Sequence, residues 1–187
     1  MLLALALAAP VYGDYDPEVD YMSLMLDAVA ASDSAAGYTA EQSRNEKIED
    51  LEMEWEPIPY ESLSLLAGIM HAEAGSGWLG DHWRLNVGEV VLNRVASPEF
   101  PNTIREVLEQ PGQYYGANSA GYLASLRPQR ACAELALRLL QGERNMESSV
   151  VFQANFRQGG GTYLALEDSL LGWTYFCYSI RPELYEV

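Results

Sequence analysis

A chain of 187 residues is long enough for one domain with a sizeable core, and its 49% hydrophobic content excludes a disordered polymer. Its 27 acidic against 11 basic side chains give a formal net charge of -16, which repels a phosphate-lined partner and excludes a nucleic-acid role. The same acidity does not select a substrate, because acidic surfaces also serve solubility alone.

The opening MLLALALAAPVYG, residues 1–13, reads as the apolar core of a secretory signal peptide, with Ala6 and Ala8, or Val11 and Gly13, at signal-peptidase spacing. It is too short to cross a bilayer, so no stable membrane span is expected; no Lys or Arg precedes Arg44, so the usual charged leader is missing. Residues 14–56 are expected to form an acidic helical arm, broken at Ser32-Asp33-Ser34 and at Gly37. Met22, Met25 and Val29 give its first helix one apolar stripe. The second, about Thr39 to Met53, is densely charged and either lies over the main domain or leads into it.

Pro57 and Pro59 mark the start of the main domain, residues 57–187. A helix is predicted from about Ser62 to Ala74, stopping at Gly75, with Leu63, Leu66, Ala67, Met70 and Ala74 as its core stripe. Another runs from about Asp81 to Ala96, burying Trp83, Val87, Val90, Val91 and Val95, while Asn86, Glu89 and Asn93 line up to face water or a cleft. Asn102 or Thr103 caps a short helix that ends before Pro111-Gly112, and the loop QPGQYYGANSAGY follows. Pro128 opens a helix whose Cys132, Leu135 and Leu139 stripe lasts until Gly142. The runs SVVFQAN and TYFCY, separated by Gly159-Gly160-Gly161, predict a small hairpin or two-strand patch. The expected fold class is mainly α with a small β element. Cys132 and Cys177 either pair, in an exported protein, or remain two buried thiols.

Glu73 is the chemical anomaly, a carboxylate at a helix end beside Ile69 and Met70. Partial desolvation there raises its pKa and keeps it protonated, as an acid for glycoside cleavage must be. The plainer alternative is an exposed or salt-bridged Glu. Gln113, Tyr114 and Tyr115 either contact substrate or fix the turn after Pro111-Gly112. Asn93 binds sugar or bonds to backbone; Trp78, Gln153 and Asn155, with Phe152, are further substrate candidates or packing residues. Glu89 is either a second cleft carboxylate or the partner of Arg94 or Arg84. His71 lies two residues from Glu73 and points to another helical face, so it either tunes the acid or packs elsewhere. With only His71 and His82 and no cysteine cluster, no metal or other cofactor is expected.

The stretch LAGIMHAEAGSGW, followed by VGEVVLNRVASPEFPNTIREVLEQPGQYYG, resembles the SleB/CwlJ family of cell-wall hydrolases. In that family an Ala-Glu-Ala segment precedes Val-Val-Leu-Asn-Arg-Val, then Phe-Pro-Asn-Thr-Ile and Gln-Pro-Gly-Gln. The resemblance runs from roughly Leu63 to Tyr178. It implies a lysozyme-like fold, peptidoglycan glycan strands as partner, Glu73 as the catalytic residue, and lytic transglycosylation without metal. His71 in place of Tyr, a longer Gly75–Arg84 loop, Glu89 in place of a small residue and Thr174 in place of His mark a divergent subgroup. Two other classes stand beside this one, a zinc-dependent amidase and a silent peptidoglycan-binding module. Spore cortex, vegetative wall and a host wall attacked by a phage all fit as targets.

Overall fold

Asp20 opens the first helix by accepting the Ser23 N–H on its side chain at 3.1 Å, and Ser32 closes it in the left-handed conformation. The computed structural model describes residues 20–50 and 57–185; the expected signal segment 1–13 and the expected helix end at Met53 lie outside the described residues. Helix α1 spans Tyr21–Ala31 and α2 spans Ser34–Asp50. Asp33 caps α2 through the Ala36 N–H at 3.0 Å, so the two helices turn back on each other as a hairpin. Gly37, expected as a break, lies inside α2. The buried Tyr60 ring occupies the space a side chain there would fill, since a Cβ would sit 2.1 Å from its Cε2. Glu41 also accepts the Tyr60 N–H at 3.0 Å, which fixes the start of the next helix against the arm.

That helix, α3, is Tyr60–Ala74, and Leu63, Leu66, Ala67, Met70 and Ala74 are all fully buried along it, as the spacing predicted. Helix α4, Asp81–Ala96, crosses α3 with almost no exposed face, because it packs on α3, α5 (Ile104–Glu109), α7 (Arg130–Leu140) and the sheet. Thr103 is the cap of α5, accepting the Glu106 N–H, and the short α6 is Tyr122–Ser125. Met25, Leu26, Ala28 and Val29 of α1 belong to the same apolar core as α3, α4 and α7, and Asp27 ion-pairs with Arg130 across this contact.

Three antiparallel strands, β1 (Val150–Ala154), β2 (Thr162–Asp168) and β3 (Gly172–Tyr178), lie in the order β1-β3-β2. The two-strand expectation therefore missed β2. The chain is mainly helical with a small sheet, as its composition and periodicity indicated. Cys132 and Cys177 are both buried and both free.

Candidate active site

The last turn of α3 carries Glu73 beside buried Ile69, Met70 and Ala74. Its side chain reaches solvent, yet the protein around it desolvates the carboxyl and pushes its pKa above the ordinary carboxylate value. Both hold for a carboxyl hemmed in by protein on some sides and open on another. Among the described residues it has neither a hydrogen-bond donor nor a cation for a partner, so nothing offsets that loss of water.

Tyr114 is buried and close enough for the Glu73 charge to act on its phenol. Burial raises the Tyr114 pKa most; Arg94 opposes that shift and Glu73 adds to it. The Tyr114 hydroxyl is enclosed and has no partner among the described residues. Its ring lies 5.4 Å from the Arg94 guanidinium, which also faces Phe100 at 5.1 Å and Phe152 at 5.9 Å. Arg94 donates its Nε–H to the Val151 carbonyl at 2.6 Å. A buried cation is thus held by three π-faces and one carbonyl, and it joins α4 to β1 beside the site.

Tyr114 and Tyr115 are adjacent and have opposite fates, the first buried and the second 91% exposed. Gly112 and Gly116 adopt φ of 75° and 74°, which glycine takes without strain, and successive turns place one ring inward and the next outward. Gln113 is exposed on the same loop, its N–H donated to the Gln110 carbonyl at 3.3 Å.

Other residues singled out in the sequence fall elsewhere. Asn93 is buried and donates its amide to the Glu147 and Val150 carbonyls, both at 3.0 Å. Of its two readings, sugar ligand or backbone partner, the structure shows the second, because both amide hydrogens hold the entry to β1. Glu89 pairs with neither arginine: its fully buried carboxylate accepts the backbone N–H groups of Asn145 and Met146. Arg84 instead reaches Asp81 and the Ser76 carbonyl, tying down the α3–α4 loop. His71 turns to α7, with Nδ1 3.9 Å from the Cys132 thiol.

Trp78, in the α3–α4 loop, is 59% exposed and lies close enough to Asp168, at the end of β2, to help lower that carboxyl's pKa. Gln153 sits mid-strand with an enclosed side-chain oxygen that has no partner among the described residues, while Asn155 is exposed just past β1. Glu73 and Tyr114 are therefore brought together, and Trp78 lies close to the hairpin. Arg94 went unrecognised as part of this neighbourhood. The signal was an arginine among the valines of a helix with no solvated face. Among the described residues no three His, Cys, Asp or Glu side chains come together as a metal-binding group, and no helix is long and apolar enough to cross a membrane.

Neither the curated proteins nor the solved structures yield a match to this chain. Residues 81–163 match the Cell Wall Hydrolase family, from the start of α4 into β2, so Glu73 precedes the matched span while Arg94, the Tyr114 loop and β1 lie inside it. The domain supports peptidoglycan hydrolysis in general and action outside the cytoplasm. The chain thus carries, across residues 81–163, a domain of the cell wall hydrolase family that contains the SleB/CwlJ-type proteins.

Proposed function

We propose that the chain cleaves the glycan strand of peptidoglycan as a lytic transglycosylase, with Glu73 as its single acid and base, on a lysozyme-like catalytic unit of residues 57–187. The observation that carries this reading is the placement of the Glu73 carboxyl at the end of α3, open to solvent on one side and set beside buried Ile69, Met70 and Ala74, where desolvation pushes its pKa up. Protonated Glu73 gives its proton to the oxygen linking N-acetylmuramic acid to N-acetylglucosamine, and that bond breaks. The C6 hydroxyl of the same muramic acid attacks its own anomeric carbon and returns a proton to the Glu73 carboxylate. A 1,6-anhydro sugar forms, no water is consumed, and the acid is restored.

Two details favour this route over hydrolysis through a second carboxylate. Glu89, the other acid the sequence offered for a cleft, is held by two backbone N–H groups inside the core. Tyr114, buried beside Glu73 and packed on Arg94, brings no carboxylate to act as a nucleophile. Export directed by residues 1–13, with 14–56 as an arm, completes the reading.

Digestion of purified sacculi tests it. Released muropeptides carry anhydro ends lighter by one water than hydrolysis products, and Glu73→Gln stops the release. Ordinary reducing ends, or undiminished release by Glu73→Gln, would overturn the mechanism. Release by the unaltered chain that a strong chelator abolishes would point to the amidase instead.

A further inference from the structure

One face of the sheet holds a set of aromatic side chains that the proposed chemistry does not use. Phe152 lies directly across from Cys177 in the β1–β3 register, and Cys177, Tyr175 and Trp173 alternate along β3, so all four share that face. At one end Phe152 packs on Arg94, which Tyr114 in turn adjoins beside Glu73. At the other, Trp173 stacks on Tyr175 with ring centres 5.9 Å apart and planes 18° from parallel, and the Trp173 indole remains 43% exposed. An exposed, flat ring supported from behind by a second ring is shaped for the apolar face of a sugar.

The polar groups around it suit the same occupant. Arg157 lies over the Tyr175 ring at 5.4 Å, an exposed cation in a chain whose net charge is -16. Glu167 is paired directly across from Trp173 and is exposed, able to accept from sugar hydroxyls. Asp168, next along β2, holds the N–H groups of Leu170 and Leu171 at 2.9 and 3.0 Å, which stiffens the hairpin, and Trp78 brings a second exposed ring close to it.

We propose that Trp173, backed by Tyr175, stacks on an N-acetylated sugar of the glycan strand at a distance from the cleaved bond, with Arg157 meeting a carboxylate of the peptide stem. This subsite rests on the peptidoglycan reading above and lies on the sheet whose other end packs, through Phe152 and Arg94, on Tyr114 beside Glu73. A carboxylate-bearing, sugar-based polymer satisfies both the ring and the cation, whereas an apolar peptide would leave Arg157 and Glu167 without partners.

The full chain carrying Glu73→Gln, mixed with purified sacculi and sedimented, reports binding without cleavage. Adding Trp173→Ala is expected to weaken retention about threefold to tenfold, the range for loss of one stacked ring. Trp173→Phe restores most of it, and Arg157→Gln weakens retention at low salt more than at high salt. In the otherwise unaltered chain, Trp173→Ala raises KM for soluble glycan strands by more than it lowers kcat. Undiminished retention by Trp173→Ala overturns the subsite, as does an equal loss with Trp173→Phe. If the unaltered chain releases nothing from sacculi while Trp173→Ala still loses retention, the cleavage reading falls and the subsite stands.

Discussion

The Glu89 carboxylate holds the Asn145 N–H with both oxygens, at 2.8 and 2.9 Å, and takes the Met146 N–H at 2.7 Å as well. A helix is thereby pinned to the turn that leads into β1, across 56 residues of sequence. Glu89→Ala leaves a buried donor and a half-buried one without an acceptor, which costs about 2–4 kcal/mol. Glu89→Gln keeps one acceptor oxygen and costs about half of that. Urea unfolding of the two variants measures both, and a loss below ~1 kcal/mol for Glu89→Ala would remove the structural role given to this carboxylate.

How far the sequence revealed this arrangement depends on the reach of each interaction. The α3 stripe and the bounds of α4 were readable because helical spacing encodes which face is buried. Glu89 and Asn93 were not, since their partners are backbone groups more than fifty residues away and leave no trace in local spacing. Strand β2 was missed because it is an edge strand whose residues are mostly half-buried, so its alternation is shallow. Of the candidate site, Glu73 was legible from its apolar neighbours. Which of Tyr114 and Tyr115 faces inward was not, because the Gly112 and Gly116 turns decide it.

Arg94 offers a direct contrast between charge and shape. Its planar guanidinium faces Phe100, Tyr114 and Phe152 and donates to the Val151 carbonyl. Arg94→Lys preserves the charge but neither the flat contact surface nor the Nε–H, and a strongly hydrated ammonium is left in a buried site. Destabilisation of about 2–3 kcal/mol is expected, from a lost charged hydrogen bond together with weakened cation–π contacts. Thermal and urea unfolding check it, and a lysine variant as stable as the parent would show that positive charge alone is required.

Cys132 and Cys177 make a prediction about chemistry under oxidation. Both are buried, the first on α7 beside His71 and the second on β3, and burial pushes the Cys132 thiol above its ordinary pKa. Neither should react with a thiol reagent in the native chain at neutral pH, and both should react once it is denatured. Mass spectrometry of alkylated samples counts the modified sites. A native chain lacking both free thiols after denaturation without reductant would contradict the unpaired arrangement.

Glu73 ties activity to stability with a definite sign. A carboxyl whose pKa is higher in the folded chain than in the unfolded one binds its proton more tightly when folded, so ionising it works against the fold. The penalty is absent below the unfolded-state value of about 4.3, grows as the pH rises above that, and is complete once the pH passes the raised folded value. Glu73→Gln carries no such charge. Its melting temperature should therefore exceed that of the parent at neutral pH, with the gap closing as both are taken to about pH 4. The same substitution removes the proton donor, and muropeptide release should fall by about 10²–10⁴-fold. Parent activity should decline as rising pH ionises the acid. A variant that melts below the parent at neutral pH would mean that the charged carboxylate is welcomed by its surroundings, and an acid poised to give up a proton would no longer describe this site.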